Sequence, residues 1–279
     1  MITIKINFMS VSHVLKSIYV LWYREFLHYW RDRVRVVTSV MMPIGFLIFG
    51  SGLSSIVGGF ASETLGPQVN LIQFLFPGVL GLSIFFVAIF SGVSVIWDRQ
   101  FGFLKEILVA PISRTAVALG RIAGGATIAM IQSSILLAIA PFIGLHLSFF
   151  VFVKLWFLML LISFALTAFG VLIVSLVRTT EAHQMISYSL IAPMALLSGA
   201  YFPLKNLPFW MDLLVRFNPF TYAVDALRQT TLNLSQITVG LNIFGKPIIF
   251  LGIFGDVLIV LVFGIIMTEL AIWAFSRLE

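Results

Sequence analysis

The residues of this chain that could carry chemistry are few and scattered. The stretch 240–247 (GLNIFGKP) approaches the phosphate-binding loop G-x-x-x-x-G-K-[ST], but Pro247 stands where that loop needs a magnesium-binding hydroxyl. No strand-to-helix pattern surrounds it, so we predict no nucleotide site. There is no cysteine, and the histidines lack metal-ligand spacing, so we expect no metal or cofactor on this chain. The histidines are His13, His28, His146 and His183.

Two carboxylates, Asp256 and Glu269, lie within the last apolar run of the chain. A charge at the centre of a bilayer costs about 2.5–3.5 kcal/mol on insertion scales, so such residues can mark a proton or ion relay. Their separation along a helix is about 20 Å, which is too long for direct proton transfer. The favoured alternative places the two acids near opposite interfaces, with partners such as Arg228 for Asp256 and Arg121 for Glu269.

The composition indicates an integral membrane protein. Of 279 residues, 60% are hydrophobic and 10% are charged, whereas soluble domains average about half apolar and a quarter charged. The net charge of +6 would suggest nucleic acid in a soluble protein. Here the basic residues cluster beside apolar runs, where they set membrane orientation, so we expect no nucleic-acid partner.

Six apolar runs predict an all-α transmembrane domain over residues 36–279, since a spanning helix needs about 20 apolar residues. The segment 58–69 is predicted to be a polar loop, and the fifth run is short. Ala116, Gly120 and Gly124 recur at four-residue spacing, which predicts a seam for close helix packing. The six runs are 36–57, 70–96, 116–143, 149–177, 185–201 and 248–275.

Residues 1–35 form a cytoplasmic leader whose second part, 10–35, has helical periodicity. An apolar, aromatic face and a basic face are both present, which is typical of a helix lying among lipid headgroups. We therefore expect contact with membrane lipid. The apolar face comprises Val11, Leu15, Ile18, Trp22, Phe26 and Tyr29; the basic face comprises Arg24, His28, Arg31 and Arg35.

A charged stretch, Val95 to Arg121, interrupts the apolar runs and must lie at a water boundary. Phe101, Leu104 and Leu108 recur there at helical spacing, which predicts a short amphipathic helix. We predict that this coupling segment, residues 97–115, docks into a partner protein outside the membrane. The alternative is a solvated loop that only joins two spans.

Residues 202–228 hold three prolines and five charges, which excludes a simple span, yet they are too apolar for an ordinary loop. A re-entrant hairpin of short helices on the outer side suits both observations.

The counts of lysine and arginine predict the orientation in the membrane: twelve lie on the side of the leader and coupling segment, and five lie on the other. The positive-inside rule therefore puts both termini in the cytoplasm of a multi-pass cell-membrane protein.

Two stretches carry a family resemblance. Residues 74–125 resemble the centre of type-2 ABC exporter permeases, in particular the daunorubicin-resistance and nodulation-factor export branch. Residues 197–228 are similar to that family's outer signature, with its Phe-Pro, Leu-Pro-x-Trp, Asn-Pro and Asp-Ala-Leu-Arg elements. The resemblance implies an exporter for amphipathic, drug-like or lipid- or glycan-linked cargo. It also implies a homodimer and a separate ATP-binding-cassette ATPase that holds the ATP and magnesium.

The resemblance further implies roles for particular residues. Spans one, two and five would flank the path between subunits. The ATPase-coupling residues would be Asp98, Arg99, Phe101, Gly102, Leu104, Lys105 and Glu106. The outer gate would comprise Pro203, Pro208, Trp210, Asn218, Pro219, Tyr222, Asp225 and Arg228. Movement would pass up spans two and three, along the seam at Gly120 and Gly124.

Two alternatives from other classes are open. An ion-coupled secondary transporter would use Asp256 or Glu269 and need no ATPase. Inverted repeats would support it, and none is visible between 36–177 and 185–275. A non-transporting membrane scaffold is the second alternative, although a scaffold has no need of an outer hairpin.

Overall fold

The described part of the chain forms a helical bundle with one very short β-ladder. The computed structural model describes residues 11–65, 71–102, 113–143, 145, 147–177, 179–202, 204, 207–232, 242–243, 246–247 and 252–277. The helices are α1 (Val11–Arg31), α2 (Arg33–Leu65), α3 (Leu71–Ser91), α4 (Val93–Gln100), α5 (Arg114–Ile139), α6 (Phe149–Leu176), α7 (Thr180–Leu196), α8 (Phe209–Phe217), α9 (Pro219–Leu232) and α10 (Gly252–Ser276). Strands β1 (Asn242–Ile243) and β2 (Lys246–Pro247) pair antiparallel.

Within the described ranges, five stretches are long and apolar enough to cross a membrane. The helix α7 has 17 residues, slightly fewer than a spanning helix usually needs. The prediction of a helical membrane protein is therefore confirmed, while the count of six spans stays a prediction. The five stretches are Arg33–Gly50, Leu71–Gln100, Arg114–Ile143, Phe149–Leu176 and Gly252–Ser276.

Local signals explain where several helices begin. The Ser113 hydroxyl accepts a hydrogen bond from the Ala116 amide at 3.2 Å, and so caps the start of α5. Asp32 separates α1 from α2, and its carboxylate accepts from the Arg35 amide at 3.0 Å. The predicted polar loop at 58–69 is wrong in its first part, because α2 continues to Leu65.

The core lies where α3, α5, α6, α9 and α10 pack together. Phe76, Phe85 and Phe220 are fully buried there, and the rings of Phe85 and Phe220 stack with centroids 4.5 Å apart. Gly170 of α6 lies so close to α3 that an added Cβ would stand 2.6 Å from the Ala88 carbonyl oxygen. The backbones of two long helices therefore meet at a glycine.

The predicted site residues lie at two ends of the bundle. From Gly78 to Asp98, the distance along α3 and α4 is about 30 Å. At the hairpin end, Gly78 lies against Ala200, in the turn that follows α7. At the α1 end, Asp98 of α4 meets side chains of α1 and α5. The helices α2, α3, α5, α6, α7 and α10 each run between these ends, which places the candidate site residues in two separate groups.

Candidate functional site

Four charged side chains from three helices form a network at the α1 end. Arg121 of α5 binds the carboxylates of Glu25 and Asp98, and Arg24 binds Asp98 as well. Ser94 links the same groups: its hydroxyl donates to Glu25 at 2.9 Å and accepts from Arg121 at 2.8 Å. We call these five residues the charge network. It joins α1, α4 and α5 by ionic contacts.

Burial makes this network energetically important. Only 2% of the Arg121 side chain is exposed, and the Glu25 and Asp98 side chains are nearly as buried. A buried charge that loses its partner is strongly destabilising, because the protein cannot replace the lost hydration. The three helices are therefore expected to move as one unit rather than slide past one another.

The predicted partnership between Arg121 and Glu269 is wrong, because Arg121 pairs with α1 and α4. Glu269 is exposed on α10, in a groove shared with Leu161 and Phe164 of α6. Arg24 and Glu25 were not among the predicted site residues. The available signal was composition: Glu25 is the only acid among the first 31 residues, in an otherwise basic leader.

The small-residue seam of α5 explains why α1 lies so close. An added Cβ on Gly120 would stand 2.8 Å from the Leu21 Cβ, and one on Gly124 would stand 2.7 Å from the Glu25 Cβ. Ala116 is also buried. The seam therefore receives the leader helix, although the sequence favoured sliding of the second and third spans along it. This close approach brings Glu25 within reach of Arg121.

The coupling segment shares Asp98 with the charge network and continues beyond it. Arg99 donates to the Val177 carbonyl oxygen at 2.8 Å, which fastens the end of α4 to the end of α6. Phe101 follows, with 74% of its surface exposed. Gly102 has a φ of +82°, which glycine adopts without strain. Three predicted coupling residues, Leu104, Lys105 and Glu106, lie outside the described residues.

At the opposite end, two short helices form the predicted hairpin. Pro208 precedes α8, which exposes Trp210, and Asn218 alone separates α8 from α9. The Asn218 side chain accepts from the Phe220 amide at 3.2 Å and donates to the Met194 carbonyl oxygen at 2.8 Å. Pro219 suits the first position of α9, since it needs no amide hydrogen there. Pro203 lies outside the described residues.

Polar residues of α9 tie the two hairpin helices together and attach them to the bundle. The Tyr222 hydroxyl donates to the Arg216 carbonyl oxygen at 2.9 Å. Arg228 donates to the Gly199 carbonyl oxygen at 2.6 Å, and its guanidinium lies 4.1 Å from the centroid of the Phe74 ring. Both contacts tie α9 to its neighbours, and that of Arg228 reaches the start of α3.

The predicted pairing of Arg228 with Asp256 is also wrong. The Gln229 amide instead donates to Asp225 at 2.8 Å and to Asp256 at 2.9 Å, which joins α9 to α10. Asp256 is fully buried. Gln229 sits one turn beyond Asp225 on the same helix and can bridge the two acids, while Arg228 is bound to Gly199 and the Phe74 ring.

We expect Asn218→Ala to lower the stability of the hairpin by about 1–2 kcal/mol, because the helix cap and the tie to α7 are both lost. Limited proteolysis of the hairpin in detergent measures this change. Asn218→Asp is the matched control: it keeps the cap but cannot donate to Met194, so its effect should be intermediate. Equal protection of both variants and wild type would contradict the proposed tie.

A cavity of about 430 Å³ lies between α2, α3 and α5. It spans the bundle from Tyr29 and Arg35 near the α1 end to Tyr201 near the hairpin end. Its walls are mostly aromatic and aliphatic. The remaining lining residues are Thr38, Ser39, Met42, Pro43, Gly45, Phe46, Phe49, Val79, Leu82, Ser83, Phe86, Val87, Phe90 and Gln132.

Comparison with known proteins gives a consistent result. The chain is 29% identical over 217 residues to a putative transport permease, ycf38, of Cyanophora paradoxa, which covers 77% of this chain and 73% of that protein. It is 25% identical over 240 residues to the inner membrane transport permease YadH of Escherichia coli (strain K12), covering 85% and 90%. It is 28% identical over 183 residues to the probable multidrug ABC transporter permease YbhR of the same organism, covering 63% and 48%.

The model of one protein family, described as ABC-2 type transporter, matches residues 16–232. This match includes the charge network, the coupling segment and the hairpin. The relatives do not separate the daunorubicin-resistance and nodulation-factor branch from others, so that finer assignment stays a prediction. The chain belongs to the ABC-2 type transporter family and is a multi-pass membrane permease subunit of an ABC transporter.

Proposed function

We propose that this permease works as a homodimer with a separate ATP-binding-cassette ATPase and exports an amphipathic substrate. The observation that carries the proposal is the position of Phe101, which is exposed one helical turn beyond Asp98. A partner that pushes on Phe101 acts directly on the charge network. Force applied at this point reaches α1, α4 and α5 together.

The proposed orientation puts the α1 end in the cytoplasm, in accord with the positive-inside rule. The ATPase would then meet the coupling segment on the side where ATP is available. The hairpin end faces outward, and α8 and α9 act there as an outer gate that dips into the membrane. Family membership supports this ATP-driven scheme over an ion-coupled one that uses Asp256 or Glu269.

The cavity between α2 and α3 supports the proposed route. It lies beside the first and second spans, which are expected to flank the path between two subunits. Its aromatic walls suit a substrate with a large apolar part. The name of the relative YbhR, a probable multidrug permease, supports a drug-like or lipid-like cargo.

We expect Phe101→Ala to reduce co-purification of the ATPase about tenfold, because large exposed aromatic residues often dominate binding at an interface. The measurement is the ATPase:permease ratio after affinity purification from membranes, together with ATP hydrolysis. Phe142→Ala is the control, since Phe142 is 88% exposed between α5 and α6, away from the coupling segment. Normal ATPase retention by Phe101→Ala would refute this contact.

A further inference from the structure

The polar groups of the cavity are concentrated at its α1 end. Arg35 is the only charged residue among the described residues that line it. One nitrogen of its guanidinium donates to the Phe90 carbonyl oxygen at 3.3 Å. The group is therefore held in place by α3, with further donors available for an anion.

Gln132 supplies a second polar group. Its side-chain nitrogen donates to the Ser39 carbonyl oxygen, and because a carbonyl can only accept, this contact fixes the orientation of the amide. The side-chain oxygen of Gln132 then has no hydrogen-bond partner, although the residue is only 3% exposed. A buried acceptor without a donor is costly, and a ligand that brings an N–H or O–H group would satisfy it.

The Arg35 side chain and the Gln132 amide are anchored at similar depths in the bundle. Gln132 binds the Ser39 carbonyl oxygen, and Ser39 lies one helical turn after Arg35, about 6 Å along α2. Apart from Ser83 and Tyr201, the lining beyond them is apolar and includes Phe46, Phe49 and Phe86. The cavity therefore has a cationic end, a hydrogen-bond acceptor next to it and a largely apolar remainder.

A second cavity, of about 540 Å³, also has Arg35 in its lining. It is lined by Arg24, His28, Arg31 and Asp32 as well as Arg35. Arg24 is paired with Asp98, and Asp32 is the one carboxylate among the described residues of this lining, beside Arg31 and Arg35. The excess of positive charge attracts anions toward Arg35.

We propose that the α2–α3 cavity binds an amphipathic anion that carries a hydrogen-bond donor next to its acidic head group. Arg35 neutralises the acid, the Gln132 side-chain oxygen accepts from the donor, and the aromatic walls hold the apolar part. This inference rests on the proposed function, because it identifies the bound anion as the exported cargo.

The probe is N-oleoylglycine with a photoreactive diazirine in its acyl chain, because it has a carboxylate, an adjacent amide N–H and a long apolar tail. Two matched competitors test the two contacts separately, one for Arg35 and one for Gln132. The methyl ester removes the charge, and oleate removes the amide N–H. With the permease–ATPase complex in nanodiscs, without ATP, we expect labelling of α2 and α3. Each competitor should compete about tenfold less well than unlabelled N-oleoylglycine.

Variants connect these preferences to the two residues. Arg35→Gln should abolish discrimination between acid and ester, and Arg35→Lys should retain it. Gln132→Leu should abolish discrimination between N-oleoylglycine and oleate while leaving the acid–ester preference intact. Lys154→Gln, at the exposed start of α6, serves as the control. These ratios remain interpretable if a variant reduces the amount of folded protein.

The alternative occupant of the cavity is a resident membrane lipid. Addition of ATP distinguishes such a lipid from exported cargo. Cargo should leave the cavity and cross the membrane when ATP is added, whereas phosphatidylglycerol that only occupies the site should stay bound. Binding without ATP-dependent release would overturn the assignment as cargo. Export of neutral amphiphiles, with no preference for the acid, would overturn this inference and leave the proposed exporter intact. Failure of the complex to export any amphiphile when ATP is added would instead refute the exporter.

Discussion

Arg121→Met is expected to destabilise the protein by about 3–5 kcal/mol, because it leaves Glu25 without its ion-pair partner and Asp98 with only Arg24. In detergent, this corresponds to a fall of roughly 10 °C in the temperature at which half of the protein remains monodisperse. Fluorescence-detected size-exclusion chromatography after heating measures it. A loss of this size would also reduce the amount of protein that inserts stably in cells.

Two further variants identify the cause. Arg24→Met removes an ion pair whose arginine is 37% exposed, so its effect should be below about 1 kcal/mol. The double variant Arg121→Met with Glu25→Met removes the unpaired acid and leaves Asp98 paired with Arg24. It should recover most of the lost stability. Equal effects of Arg121→Met and Arg24→Met, or no recovery in the double variant, would show that Arg121 stabilises the bundle in some other way.

Gly78→Ala is expected to have the next largest effect. An added Cβ would stand 2.2 Å from the Ala200 carbonyl oxygen and 2.8 Å from its carbonyl carbon. Both atoms belong to the backbone, so a side-chain rotation cannot relieve the clash. Overpacking of this kind costs about 1–3 kcal/mol or more. We expect a lower thermal midpoint and faster proteolysis in the turn that follows α7.

Gly45→Ala in α2 provides the matched comparison, since an added Cβ there meets nothing within 4 Å. Alanine favours helix over glycine by about 1 kcal/mol, so this variant should be neutral or slightly stabilising. The same chemical change should thus lower the stability of the protein at Gly78 and leave it unchanged or slightly higher at Gly45. A Gly78→Ala protein as stable as Gly45→Ala would contradict the close contact between α3 and the turn at Ala200.

The positions of the long helices could be read from the sequence because hydropathy is a local property. A helix in lipid must satisfy its own backbone groups and present about 20 apolar residues, so each apolar run identifies a helix without knowledge of its neighbours. The leader helix was likewise predicted from its helical periodicity, and the short helices of the hairpin from prolines and charges in an apolar segment. Asn218 and Pro219, predicted only as gate residues, also favour the start of a helix.

The family assignment was also available from the chain itself, because residues 74–125 and 197–228 retain its motifs. Helix ends were less predictable. The glycine-bearing segment after Val57 favoured a loop, yet α2 continues to Leu65. Glycine lowers helix propensity by only about 1 kcal/mol, which tertiary contacts or neighbouring turns can offset.

Only the tertiary structure decided which charged residues meet. Arg121 pairs with Glu25, 96 positions earlier in the chain, because the seam at Gly120 and Gly124 admits α1. The acid Asp256 meets Gln229 rather than Arg228. The α2–α3 cavity with its arginine at one end is likewise a product of packing. The sequence determined which segments form apolar helices, since the hydropathy that favours lipid is a local property. Which residues pair depends on which helix faces approach in three dimensions.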